Sequence, residues 1–156
     1  MHLYAFIKAV HILSATILFG TGLGTAFFFW RAHSTGKEAD RLFAAHTTVL
    51  ADLVFTTPAV IVQPLTGFWL MSTAGFRWND LWLVATYALY FVAALCWLPV
   101  VFIQLRMMRM LERQAAGEPL AQPRYDRLFR TWFLLGWPAF GGLVLIYFLM
   151  VMKPSW

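Results

Sequence analysis

Charged residues cut this chain into long apolar runs. Lys8 and Arg31 enclose 22 residues without a formal charge, Asp52 and Arg77 enclose 24, Asp80 and Arg106 enclose 25, and Arg130 and Lys153 enclose 22. A helix rises ~1.5 Å per residue, so ~20 residues cross the hydrocarbon core of a bilayer. Each run clears that length. The runs are continuously apolar rather than alternating, which points to helices and away from barrel strands, the other structure that satisfies its backbone in lipid. The pattern predicts helices from about Leu3 to Trp30, Thr47 to Ser72, Leu81 to Met110 and Arg127 to Met152. The fold class is all-α: a four-transmembrane-helix bundle forming one domain over 1–156, with almost nothing outside the bilayer. The first run reads as an uncleaved span. His2 and Lys8 precede it without a basic cluster, the run exceeds a signal-peptide core, and no small-residue cleavage site follows.

Breaks within the runs refine this picture. Pro58 and Pro64 lie in the second helix, Pro99 in the third and Pro138 in the fourth; each frees a backbone carbonyl and bends its helix. Gly20 and Gly24 form a GxxxG pair, read as close packing within the bundle. Gly117-Glu118-Pro119 stops the third helix. Trp30, Trp69, Trp78, Trp82, Trp132 and Trp156 fall near span ends as an aromatic belt, whereas Trp97 and Trp137 lie deeper.

Composition agrees: 61% of residues are hydrophobic and 12% charged, against roughly 25% charged in an ordinary soluble domain. The net charge of +5 is a topology signal rather than a nucleic-acid signal. Arg31, Lys37 and Arg41 lie in one connection, and Arg106, Arg109, Arg113, Arg124, Arg127 and Arg130 in another. Arg77 and Lys153 alone mark the opposite side, with Lys8 set aside within a span. The positive-inside rule then places both basic connections in the cytoplasm and both termini on the outer, periplasmic side of a bacterial inner membrane. The same charges suit anionic lipid headgroups. One cysteine, Cys96, precludes an intramolecular disulfide and a thiolate-rich metal site.

Ionisable groups at membrane depth are costly and call for a partner or a role. Lys8 and His11 lie three residues apart on one helix face. His11 is a candidate haem or metal ligand or proton carrier, with Lys8 as an anion's partner; the structural alternative is a hydrogen-bonded His11 with a snorkelling Lys8. Asp52, Gln104, Arg106 and Arg130 reach a similar depth near the basic side. An Asp52–arginine ion pair is the favoured reading there, and a proton path through Asp52 is the sharper one. Gln63 either satisfies carbonyls freed by Pro58 and Pro64 or lines a ligand cavity. His11 and His46 differ in depth by roughly 25–30 Å, too far to clamp one haem. His33 and His46 are close enough in depth to meet. The Arg106, Arg109 and Arg113 stripe reads as a solvated or headgroup-facing edge. HExxH, GxSxG, Walker and CxxC patterns are missing.

Lys8-Ala-Val-His11, with Gly20-Thr-Gly-Leu-Gly24 after it, resembles the start of a family of bacterial integral membrane proteins of unknown function, DUF2269. Leu50-Ala-Asp52-Leu-Val-Phe-Thr56-Thr-Pro58, continuing to Gln63-Pro-Leu-Thr66-Gly67, resembles that family's second helix, and Trp97-Leu-Pro99 with Gln104 its third. More distantly, the layout is similar to the four-helix membrane protoporphyrinogen oxidases of the HemJ type. That resemblance implies a haem-associated histidine at His11. It departs near Trp82, where that family's lysine is matched by Thr86, so the specific oxidase activity does not carry over.

Three functions follow from these readings. The first is a haem-b-binding or quinone-linked membrane oxidoreductase, with His11 as iron ligand, Lys8 and Gln63 beside it and Asp52 on a proton path. The second is a structural or assembly subunit of a larger membrane complex or homo-oligomer. The third, ranked last, is a small transporter built on the broken helices.

Overall fold

In a computed structural model the chain forms four long helices, α1 (His2–Thr35), α2 (Glu38–Ala74), α3 (Leu81–Ala115) and α4 (Gln122–Met152), each long and apolar enough to span a membrane. Residues 2–154 are described, so Trp156 of the expected aromatic belt lies outside them. Neighbours pack in the order α2–α1 and α2–α3–α4, while α1 and α4 touch sparsely.

The helices run past the predicted apolar limits at the arginine-rich end. The expected connections of 31–46 and 106–130 shrink to short turns around Gly36 and 116–121. Gly36 (φ 71°) and Gly117 (φ 94°) adopt the left-handed conformation that ends a helix at little cost to glycine. The first half of α2 is amphipathic rather than apolar. Glu38 and Asp40 occupy its first turn, favourable at a helix amino end, while Ala44, Ala45 and Thr48 are buried on one face. Counting apolar residues alone misses such an extension, because one face remains in water.

The main core lies at this same end. Phe29, Ala32, Ala44, Ala45, Ile103, Met107, Leu111, Tyr125, Phe129 and Trp132 form one buried cluster drawing on every helix. A smaller cluster of Met71, Trp82 and Leu83 closes the opposite end between α2 and α3. Water drives apolar burial only where the helices leave the lipid; inside the bilayer an apolar side chain is solvated by acyl chains. Two belt assignments are corrected accordingly: Trp82 and Trp132 are 7% and 6% exposed and serve as core. Phe76 covers Trp82 edge-on, and Phe29 does the same to Trp132.

The glycine expectation also shifts. A Cβ at Gly20 or Gly24 would meet nothing within 4 Å, so the GxxxG pair makes no close approach inside the bundle. The close approaches are at Gly22, where a Cβ would lie 3.1 Å from the Phe140 ring, and at Gly67 against His11.

Midway along α2, Asp52–Thr56 forms one π-helical turn. Pro58 has no N–H to give the Val54 carbonyl, and its ring crowds that carbonyl in a regular α-helix. The wider turn relieves the clash. The Asp52 carbonyl then accepts from the Thr57 backbone N–H, and from the Thr57 hydroxyl at 2.9 Å. Pro64 is handled differently. It deprives the Val60 carbonyl of its donor, and the Tyr90 hydroxyl of α3 donates there at 2.6 Å.

Candidate functional site: a histidine face and an apolar chamber

Polar groups at membrane depth gather in two places. The first is the α1–α2 contact towards the termini. His11 is half-buried, and its Nδ1 lies 2.7 Å from the Thr66 hydroxyl oxygen. Thr66 has one proton to give, and besides the imidazole its acceptors are the Val62 carbonyl at 2.7 Å and Gln63 O at 3.2 Å, both in its own helix. With the Thr66 proton on the Val62 carbonyl, the hydroxyl oxygen is free to accept from the imidazole. In that tautomer Nδ1–H donates to Thr66, and Nε2 carries the free lone pair. Among the described residues Nε2 has no hydrogen-bond partner, and it is not among the fully buried orphaned atoms, so it stays reachable.

Neighbouring residues hold the imidazole in this pose. Gly67 lets it lie close against α2, since a Cβ there would stand 3.3 Å from His11 Cε1. The Gln63 side-chain amide donates to the His11 backbone carbonyl at 3.0 Å, as does the Ser14 hydroxyl at 3.0 Å. Gln63 thus joins α2 to α1 at His11 rather than serving the proline-freed carbonyls, a task that Tyr90 performs at Val60. Lys8 is exposed one turn away.

The second place is a chamber of about 420 Å³ between α1 and α4, walled at its back by α2 and α3. Its surface is apolar and aromatic, with Leu18, Trp97 and Phe140 among the lining residues. A few polar groups break it. Asp52 is 8% exposed and its Oδ1 accepts from the Thr56 hydroxyl at 2.8 Å. The Gln104 amide lies against the same carboxylate, leaving Gln104 Oε1 without a partner; Trp97 Nε1 is also buried and unpartnered. A ligand-sized apolar cavity with a few convergent polar groups is the usual form of a small-molecule site.

The predicted constellations are therefore partly assembled. His11 meets Gln63, and Asp52 meets Gln104. Arg106 and Arg130 are exposed and do not reach Asp52; among the described residues the acid–base side-chain contact within ion-pair distance is His46–Glu112 at 2.8 Å. The expected Asp52–arginine pair is not formed. The long arginine side chains run out to the polar surface, where their charge stays solvated, and uncharged partners meet the carboxylate. His33 and His46 do not share a site. His33 stacks on Phe129 at 3.7 Å, and His46 turns to Glu112. No group of three or more His, Cys, Asp or Glu that could hold a metal ion occurs among the described residues. His11 and the chamber are distinct, for Leu18 at the chamber's rim is seven residues from His11, roughly 10 Å along α1.

Comparison with protein families finds a match over residues 5–154 to the predicted integral membrane proteins of DUF2269. The chain belongs to this family. Nearly all of the bundle falls within the family's span, His11, Asp52, Gln63 and Gln104 included. Neither the curated proteins nor the solved structures compared with the chain give a match.

Proposed function

We propose that this protein is a small redox-linked protein of the bacterial inner membrane that holds haem b on His11, with its arginine-rich end in the cytoplasm. The observation that carries the reading is the His11–Thr66 contact. Histidines that ligate metal commonly donate their second ring N–H to a fixed acceptor, which sets the tautomer and aims the free nitrogen. The Thr66 oxygen 2.7 Å from His11 Nδ1 suits that role, on a helix face where Gly67 makes room for the ring. Lys8, exposed on the same face, suits a propionate. The chemistry haem supplies is one-electron transfer; the chain supplies orientation, polarity and exclusion of water.

The test is the difference spectrum of protein purified in mild detergent after expression with ample haem. A Soret band that vanishes in His11→Ala is expected. Thr66→Val removes the Nδ1 acceptor and is expected to weaken haem retention by roughly 10–100-fold, as loss of a ligand-orienting partner commonly does. A colourless wild-type protein, or a band unchanged in His11→Ala, refutes the reading.

A further inference from the structure

The chamber adjoins a second recess at the arginine-rich end. Trp30 and Phe133 line both, and beyond them the recess is bounded by His33, Arg41, Gln122, Asp126 and Arg130. Here the surface turns from apolar to cationic at the depth where the apolar run of α4 begins, the level of lipid headgroups. Arg41 and Arg130 form no ion pair among the described residues. The one carboxylate of the recess, Asp126, accepts from the Gln122 amide at 2.7 Å. Arg41 places its guanidinium over the Tyr125 ring, 5.6 Å from the centroid, and one terminal nitrogen donates to the His33 carbonyl at 3.3 Å. Its Nε and His33 Nδ1 are buried without partners.

The shape of the opening selects the occupant. α1 and α4 meet through Phe29 and Trp132 on one side of the chamber, and through Phe19 with Phe140 and Tyr147 on the other. The gap between these contacts is a window rather than a full-length groove. An extended hydrocarbon chain is thinner than a helix, which is ~10 Å across with its side chains, and suits an opening bounded at both ends. A free anion would leave the apolar chamber without a partner, and a hydrocarbon alone would do nothing for the unpaired guanidinium.

We propose that these adjoining cavities bind one anionic phospholipid, its phosphate against Arg41 and Arg130 and one acyl chain through the window into the chamber. Each arginine near the membrane surface adds roughly fivefold to binding of an anionic headgroup. The site is separate from His11 and does not depend on haem.

The test uses the full chain in mild detergent, exchanged against equal amounts of phosphatidylglycerol and phosphatidylcholine with the same acyl chains. Retained lipid is counted by native mass spectrometry. One retained phosphatidylglycerol, preferred by roughly tenfold or more, is expected. Arg130→Gln, at an exposed side chain that forms no ion pair among the described residues, should lower that preference by roughly fivefold. Arg41→Gln combined with it should abolish the preference. Gly136→Phe fills the chamber from a position where a Cβ meets nothing within 4 Å, and should remove retention of both lipids while the protein stays folded. Equal retention of the two lipids by the wild type overturns the proposal, as does a preference that Arg130→Gln leaves intact. Displacement of the lipid by soluble glycerol phosphate, with Gly136→Phe inert, would identify a bare anion site and also overturn it.

Discussion

Single side chains at membrane depth do work that water would do elsewhere. The Tyr90 hydroxyl answers the Val60 carbonyl that Pro64 strips of its donor. Tyr90→Phe should lower stability by about 1–3 kcal/mol, the cost of an unpaired buried carbonyl, read from unfolding of micellar protein by added denaturing detergent. His11 depends on an absent side chain as much as on present ones. Gly67→Ala puts a Cβ 3.3 Å from the imidazole, so the ring must shift by a few tenths of an ångström, and His11–Thr66 should weaken. With haem held on His11 as proposed, the expected result is a Soret band that broadens and loses intensity while the fold persists. These details were unevenly legible. His11, Gln63 and Asp52 stood out because polar residues inside apolar runs are conspicuous. Thr66 and Tyr90 did not, because a hydroxyl in a membrane helix commonly bonds its own backbone, and nothing local tells which reaches a neighbouring helix.

At the scale of elements, four long helices could be read directly from the charge-free runs, and their ends could not. The amphipathic start of α2 buries only Ala44, Ala45 and Thr48 on its inner face, a signal too weak beside the apolar stretch that follows. The π-helical turn was foreshadowed by Pro58 as a bend, but its form depends on what the Asp52 carbonyl and carboxylate find around them. The carboxylate accepts from Thr56 and lies against Gln104, joining this turn of α2 to α3. Asp52→Asn keeps an acceptor oxygen there and should change stability by less than about 1 kcal/mol. Asp52→Leu strands the Thr56 hydroxyl and the Gln104 amide and should cost about 2–4 kcal/mol. Equal losses in the two variants, by the same detergent-unfolding measurement, would sink this account of the joint.

For the whole molecule, the division of labour between lipid and core sets where stability resides. Leu111 is fully buried in the arginine-rich cluster, whereas Leu98 on the same helix is 51% exposed towards the surroundings of the bundle. Leu111→Ala should destabilise by about 2–5 kcal/mol, and Leu98→Ala by less than about 1 kcal/mol. Composition alone ranks these two leucines equally; their difference comes from whether the neighbours are packed side chains or acyl chains.

An unevenly packed bundle also has a direction in which it is mechanically soft. At the arginine-rich end all four helices share one core. At the other end α1 leans on α2 through His11, Gln63 and the Tyr4–Trp69 ring pair, 6.3 Å between centroids, and lies outside the Met71–Trp82–Leu83 cluster. Drawn from its amino terminus by a force probe, the chain should surrender the outer turns of α1 at low load, with the imidazole contact breaking early. The tension would then rise sharply once the pull reaches Phe29. The same gradient gives thermal motion a place to act: the α1–α2 seam at His11 can part and close while the far end holds the helices in register.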